Sequence, residues 1–475
     1  MRMSGKRPGD VRVRVSRVRP QEFQVAAPRR RRDPTPAPLL LIYGFLGLIA
    51  AGTALLMLPI STRDGSVPPL IDALFTATSA STVTGLVVVD TGTHWSAFGH
   101  IVLLGLIQAG GFGIMAGSTL LLLLLVRRGT RLRERVLVQE TVGTPSLSSA
   151  GTIVRRVAIF TFVCEVIGAV VLGGAFLSQG AGGDALGSIW WGVFHSVSAF
   201  NNAGFDLTGD FRSLAGFADD WLVLLTVGTL LTLGGLGYAI VADVFGRRRW
   251  VRLALETKIV LATSSVLLVG GAVLIGAIEW SNPETLGAFP EASRPLKALF
   301  ESATLRTAGF SVLPTAGLEE ASLFVVMALM FIGGASGSTA GGIKVNTFSI
   351  LLIAIVSTVR GEPSATAFGR RVKHELVYRA LSVALIALAA LFLVGLLLTL
   401  TTDVGFVNIL FEAVSALGTV GASTGITPQT DTVARIVLIV TMFAGRLGPL
   451  TLVLALAARS RPVSHRPAVE SIRIG

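Results

Sequence analysis

Charge is what this chain most lacks. Of its 475 residues 14% are charged and 52% hydrophobic, whereas a soluble domain carries about 25% charged residues. That balance excludes an ordinary water-soluble globule and makes lipid the implied solvent. There is a single cysteine, Cys164, within an apolar run, so no intramolecular disulfide can form. The five histidines show no ligand spacing, so no metal centre is predicted. A Gly-x-x-x-x-Gly-Lys-Ser/Thr phosphate loop is missing, so any nucleotide hydrolysis would occur elsewhere. Paired carboxylates and Ser/His pairs are missing too, and no enzymatic role is expected. A long basic segment precedes the first apolar run, which is long enough to stay in the membrane rather than act as a secretory signal.

Long apolar runs are what is there. A span needs roughly 20 residues, and eight runs reach it: Leu39–Ile60, Phe98–Val126, Ile153–Leu177, Trp221–Phe245, Lys258–Ile278, Leu323–Val359, Val377–Leu400 and Ile436–Ala458. The net charge of +12 is unevenly placed. Arginines cluster at Arg127, Arg128, Arg131, Arg133 and Arg135, at Arg247–Arg249, and again at Arg360, Arg370 and Arg371, with Arg459 and Arg461 at the end. Acidic residues such as Asp64, Asp90, Asp206, Asp220 and Asp403 occupy the alternate loops. Cytoplasmic loops carry the Lys/Arg excess, so both termini are predicted inside. The basic charge reads as an orientation signal, not as a nucleic-acid surface.

A fourfold repetition is the most informative pattern. Between spans lie LFTATSASTVTGL (74–86), VFHSVSAFNNAGF (193–205), LFESATLRTAGF (299–310) and LFEAVSALGTVGA (410–422). In each, a Phe (Phe75, Phe194, Phe300, Phe411) precedes a hydroxylated residue by four positions: Ser79, Ser198, Thr304 and Ser415. A glycine follows the Phe by nine or ten: Gly85, Gly204, Gly309 and Gly421. The spans that follow carry GGFG (110–113), GGLG (234–237), GGASG (333–337) and AGRLG (444–448). The predicted unit is helix, short re-entrant segment, helix. The segmentation is a disordered basic tail over 1–37, repeat 1 over 38–130, a cytoplasmic linker over 131–150 and repeat 2 over 151–250. Repeat 3 covers 251–372 with a broken second helix, repeat 4 covers 373–460, and a cytoplasmic tail covers 461–475. The fold class is all-α membrane protein, eight transmembrane helices in four helix–pore loop–helix repeats about a pseudo-fourfold, K⁺-channel-like pore. Irregular backbone at membrane depth is tolerated only when it is buried in protein or lines a wet cavity. For the GGFG and GGLG runs, close helix packing is an equal reading.

Such segments suit a dehydrated monovalent cation, which needs a ring of backbone carbonyls in place of water. Glycine permits the angles that carbonyl alignment demands, and small neighbours (Thr84, Ala203, Ala308, Val420) let four strands approach one axis. The preceding half-helices would aim their partially negative C-termini at a central cavity. A carboxylate ring for divalent cations is lacking, and Arg306, the one charge in the strands, is expected to face away from the axis. Glu301 and Glu412, one residue after the motif Phe, either draw cations to the mouth or brace their own segments. Glu165, within a span, calls for a polar partner.

The motifs TVTGL, NNAGF, LRTAGF, TVGASTGIT, GGASGSTAGGIK (333–344) and FAGRLGPLTL (443–452) together resemble the superfamily of potassium transporters that contains TrkH, KtrB and HKT, over about residues 38–458. With eight spans and no extra helix pair, the chain looks like the KtrB branch. The resemblance implies a potassium filter of Thr82, Val83, Thr84, Gly85, Asn201, Asn202, Ala203, Gly204, Thr307, Ala308, Gly309, Thr419, Val420 and Gly421. All four strands keep the glycine of potassium-selective members, and the first-strand serine that accompanies sodium transport in plant relatives is not found. It further implies an intramembrane gate formed by Gly333, Gly334, Ser336, Gly337, Ser338, Thr339, Gly341 and Gly342. Arg446 lies beside this loop, either holding the gate closed or bracing two helices. Lys344 reads as a snorkelling anchor. Also implied are a cytosolic KtrA- or TrkA-like regulatory ring that binds nucleotides, a homodimer with one pore per subunit, residence in the plasma (inner) membrane, and in some members stimulation by sodium. No cofactor is expected, K⁺ being the transported ion. The rival reading is an alternating-access symporter coupling K⁺ to Na⁺ or H⁺, for which the broken helix would also serve.

Overall fold

The computed structural model describes residues 37–128 and 147–448. The expected basic tail up to residue 36, most of the 131–150 linker with Arg131, Arg133 and Arg135, the end of the last apolar run, Arg459, Arg461 and the 461–475 tail lie outside them.

The apolar runs form helices. In chain order they are α1 (Ala37–Leu56), α2 (Leu70–Ser81), α3 (Ala97–Arg128), α4 (Leu147–Ser178), α5 (Ala185–Phe200), α6 (Trp221–Arg247) and α7 (Leu255–Glu279). They continue with α8 (Arg294–Thr304), α9 (Glu320–Phe331), α10 (Val345–Val359), α11 (His374–Thr399), α12 (Phe406–Gly418) and α13 (Thr432–Leu447). Five stretches are long and apolar enough to cross a membrane: Ala97–Gly117, Gly151–Ser178, α6, α7 and α11. Shorter apolar helices are Leu41–Leu56, α9, α10 and α12. The run Leu323–Val359, expected to be broken, is divided into α9 and α10 by the non-helical residues 332–344.

Loop aspartates start several helices by accepting otherwise unpaired N–H groups. Asp184 accepts from Gly187 N at 2.7 Å before α5, Asp220 from Leu222 N at 2.8 Å before α6, and Asp431 from Ala434 N at 2.8 Å before α13. Burial then sorts the helices. α2, α5, α8 and α12 are largely enclosed, and the four motif phenylalanines Phe75, Phe194, Phe300 and Phe411 are all buried. The outer helices expose apolar side chains instead: Val163, Val166 and Val170 on α4, Val266, Val269 and Val273 on α7, and Leu388, Phe392 and Leu396 on α11. A soluble protein does not show water such extended apolar faces; lipid-facing surfaces account for them. A two-residue hairpin, β1 (Thr366–Ala367) with antiparallel β2 (Arg370–Arg371), closes the basic loop after α10.

Candidate functional site

The four short helices α2, α5, α8 and α12 lead into the four glycine-bearing strands with one shared backbone pattern. Two residues before each glycine stands a non-glycine residue in the left-handed region: Val83 (φ 55°), Asn202 (φ 59°), Thr307 (φ 74°) and Thr419 (φ 50°). The glycines are left-handed as well, with φ of 91° at Gly85, 69° at Gly204, 74° at Gly309 and 90° at Gly421. Side chains rarely adopt this region, so its occurrence at matching positions marks a backbone shaped for function.

One hydrogen bond fixes each strand. The carbonyl four residues after the motif Phe accepts the N–H of the residue before the glycine: Ser79 from Thr84 (2.8 Å), Ser198 from Ala203 (2.8 Å), Thr304 from Ala308 (2.8 Å) and Ser415 from Val420 (2.9 Å). Two of the hydroxyls act as well, Ser79 Oγ accepting from Gly85 N at 3.0 Å and Ser415 Oγ from Gly421 N at 3.1 Å.

The strands meet in cyclic order. A Cβ on Gly85 would lie 2.4 Å from the Ala203 carbonyl oxygen, one on Gly204 2.6 Å from that of Ala308, one on Gly309 2.3 Å from that of Val420, and one on Gly421 2.2 Å from that of Thr84. Each glycine therefore abuts the carbonyl before the next glycine, and the fourth returns to the first. Beyond the glycines a cavity of about 220 Å³ is lined by all four of them and by Asp90, Asp206, Ser311 and Ser423, among others.

The post-glycine segments are braced from the position after the motif Phe. Glu301 Oε1 accepts the N–H groups of Val312 (2.8 Å) and Leu313 (3.0 Å), and His195 Nε2 receives Leu207 N at 3.4 Å. Glu412 Oε1 accepts from the hydroxyls of Ser423 and Thr427. Of the two sequence readings for the glutamates, bracing is the one these bonds describe. Arg306 turns to the α7 side, donating from Nη2 to Ser264 Oγ at 3.0 Å. Thr82 Oγ1 donates to Thr78 O at 2.8 Å and lies 2.7 Å from Thr84 Oγ1, bonding its own helix end and its own strand.

The expected gate residues form an ordered, largely buried loop between α9 and α10. Gly333 N donates to Ile343 O (2.8 Å), Val345 N to Gly334 O (2.9 Å), and Ala335 N to Gly235 O (2.9 Å), so the irregular backbone finds partners inside the protein. α6 kinks at Gly237 (φ 75°), where a Cβ would meet the Gly337 carbonyl oxygen at 2.9 Å. Ser338 Oγ donates to Ala335 O at 2.7 Å, and exposed Ser336 donates its N–H to Asn346 at 3.0 Å. Gly341 and Gly342 lie against Gly418 at the end of α12. Thr339 joins loop and strand: its hydroxyl donates to Asn202 Oδ1 at 2.7 Å, and its carbonyl accepts from Arg446 Nη1. Arg446 also donates to Gly110 O at 3.3 Å and is buried. Lys344, expected to be a snorkelling anchor, instead turns its Nζ back to the Ala340 carbonyl of the same loop.

The span glycines serve close packing behind the strands. A Cβ on Gly110 would sit 1.9 Å from Ser81 O, one on Gly234 1.8 Å from Phe200 O, and one on Gly445 2.2 Å from Leu417 O, each acceptor lying at or near the end of a short helix. Sequence reasoning left Glu165 unpartnered, and the structure supplies Gln108 on α3 and Asn201 at the end of α5. Their separations, 57 and 36 residues, lie far outside any local pattern.

The fold and this site define a predominantly helical membrane protein. The chain matches the family model TrkH, described as cation transport protein, over residues 31–463, and it belongs to that family. It is 39% identical over 422 residues to Ktr system potassium uptake protein B of Bacillus subtilis (strain 168), covering 88% of this chain and 93% of the relative. It is 36% identical over 439 residues to the Vibrio alginolyticus protein of the same name, with 92% and 94% covered. Potassium/sodium uptake protein NtpJ of Enterococcus hirae is also 36% identical, over 455 residues, with 94% and 98% covered. The crystal structure of the potassium transporter TrkH from Vibrio parahaemolyticus has the same fold, with a TM-score of 0.71 at 18% identity, over 90% of this chain and 86% of that one.

Proposed function

We propose that this chain is the membrane subunit of a potassium uptake system, conducting K⁺ through a filter made by its four glycine strands. The observation that carries the reading is the closed order of contacts, each glycine set against the carbonyl preceding the next. Four such carbonyls can replace part of an ion's hydration shell, and the ends of four short helices add partial negative charge toward it. The names of the relatives, potassium uptake in two and potassium/sodium uptake in a third, support the ion.

In this reading there are eight spans in four repeats about a pseudo-fourfold axis, with residues 38–130, 151–250, 251–372 and 373–460 as the repeats. The cavity beyond the glycines is the outer mouth. The plasma membrane is the site, and both termini are cytoplasmic. Inward flow needs no hydrolysis in this chain, since 100 mV favours entry of one cation by about 2.3 kcal/mol. The 332–344 loop, pinned by Arg446, is the gate. A cytosolic nucleotide-binding ring docks on the basic loops, and two copies of the chain form a dimer. Sodium acts as an activator, not as a cofactor.

The test is ion flux into liposomes holding the purified protein, with reversal potentials measured in mixed K⁺ and Na⁺. Wild type should prefer K⁺. Gly85→Ser, whose side chain must displace the Ala203 carbonyl, should lose roughly tenfold of that preference, about 1.4 kcal/mol. An unchanged ratio in a variant that still conducts would remove the filter from these strands. Thousands of ions per opening in a planar bilayer would separate a pore from an alternating-access carrier.

A further inference from the structure

We propose that Glu165 is a positioning residue for ion selectivity, acting through Asn201 on the second strand; this rests on the filter reading above. Asn201 is the third residue before Gly204 and caps the end of α5. Its Nδ2 donates to Glu165 Oε1 at 3.0 Å, to Gln108 Oε1 at 3.0 Å and to Val197 O at 2.9 Å. Gln108 Nε2 in turn donates to Glu165 Oε2 at 3.2 Å, closing a three-residue ring. Ser196 Oγ donates to the Glu165 carbonyl at 2.7 Å, so α5 is tied to the same residue twice.

The ring draws on three separate elements. Gln108 belongs to α3, Glu165 to α4 and Asn201 to the turn at the end of α5. Asn201 is fully buried and Glu165 is 5% exposed. Opposite the ring, Gly111 leaves room for the amide: a Cβ there would lie 2.0 Å from Asn201 Oδ1. The oxygen itself has no hydrogen-bond partner, so the amide is held by its nitrogen alone. Remove Glu165 and the amide loses its tie to α4 while Gln108 loses the partner that orients it, so the turn before Asn202 is held less firmly.

The other strands are held differently. At the matching position Thr82 bonds to its own helix and to Thr84 of its own strand, Arg306 reaches Ser264 and Gly418 has no side chain. Among the described residues, only the second strand draws on a carboxylate from the lipid-facing helix α4. Among the described residues no cation pairs with Glu165. An acidic side chain kept in the membrane interior without one costs free energy, and its bonds are spent on Asn201 and Gln108. The geometry thus assigns it to the strand and not to a helix–helix ion pair.

Reversal potentials of reconstituted protein test this. Glu165→Leu and, separately, Gln108→Leu should each lower the K⁺/Na⁺ permeability ratio several-fold while flux persists. Glu165→Gln keeps the α4 acceptor for Asn201, the contact on which the proposal rests, so it should stay within about twofold of wild type. A purely structural role would instead lower thermal stability and total flux in Glu165→Leu and leave the ratio untouched. That result, or an unchanged ratio in Gln108→Leu should Glu165→Leu fail to fold, overturns the proposal. Gly85→Ser run alongside separates the two readings: if it too leaves the ratio unchanged, the filter assignment has failed.

Discussion

At the residue scale, on the reading proposed above in which the cavity beyond the glycines is the outer mouth, one carboxyl there is placed to feel external pH. Asp206 follows the second strand, lines the cavity beyond the four glycines and accepts from Thr208 N at 3.0 Å. Burial pushes this carboxyl up to about 6; the Thr208 hydrogen bonds oppose the shift and the charge of Asp90 adds to it. Asp90, on the loop before α3, is the charged group that faces it, and Asp90 itself accepts from Phe211 N at 2.8 Å. A raised carboxyl is charged above pH 6 and neutral below, so the mouth loses a negative charge as external pH falls. Potassium uptake at low external K⁺ should therefore decline between pH 7 and pH 5, with the pH-sensitive part about half lost at pH 6. Asp206→Asn should give a lower and flat profile. A wild-type profile in that variant would assign the titration to another group.

At the element scale the 332–344 loop depends on Arg446. The guanidinium reaches Thr339 in the loop and Gly110 on α3, joining α13 to both. Hydrogen bonds to a charged group contribute about 1.5–3 kcal/mol each. Losing the Thr339 bond should therefore raise the population of an open loop roughly tenfold or more. Arg446→Ala protein, reconstituted without any cytosolic partner, should conduct more than wild type by about that factor. Equal rates would leave Arg446 a brace between helices. The same loop shows what sequence could reveal. Eight glycine and hydroxyl residues within the ten positions 333–342 made the break in the helix legible, because propensity is local. The turn of Lys344 toward Ala340 was not legible, since it depends on where the loop folds back. Likewise the Phe, hydroxyl and Gly spacing disclosed all four strands, whereas the partners of Glu165, Glu301 and Glu412 are tertiary and leave no spacing to read.

At the scale of the whole molecule, the four glycine strands meet in cyclic order, so α12 and α13 must pack against α2 although most of the described chain separates them in sequence. The structure joins them by an ion pair and an apolar cluster. Arg435 on α13 pairs with Asp72 on α2, and also donates from Nε to Thr430 O at 3.0 Å. The side chains are 18% and 14% exposed, so the pair is shielded from screening by salt. Phe75 on α2 and Leu86 after the first glycine pack with Leu398 on α11, Ile409 on α12 and Leu438 and Met442 on α13. By contrast Arg212 and Asp210 form a pair with both side chains more than two-thirds exposed. Exposed pairs contribute about 0–1 kcal/mol, while removing one partner of a buried pair costs about 3–5 kcal/mol. Asp72→Asn should therefore lower the thermal midpoint of the detergent-solubilised protein clearly, and Asp210→Asn hardly at all. High salt should leave the wild-type midpoint nearly unmoved. Equal midpoints in the two variants would mean that the ring is closed by the apolar cluster alone, and Phe75→Ala would then carry the larger loss.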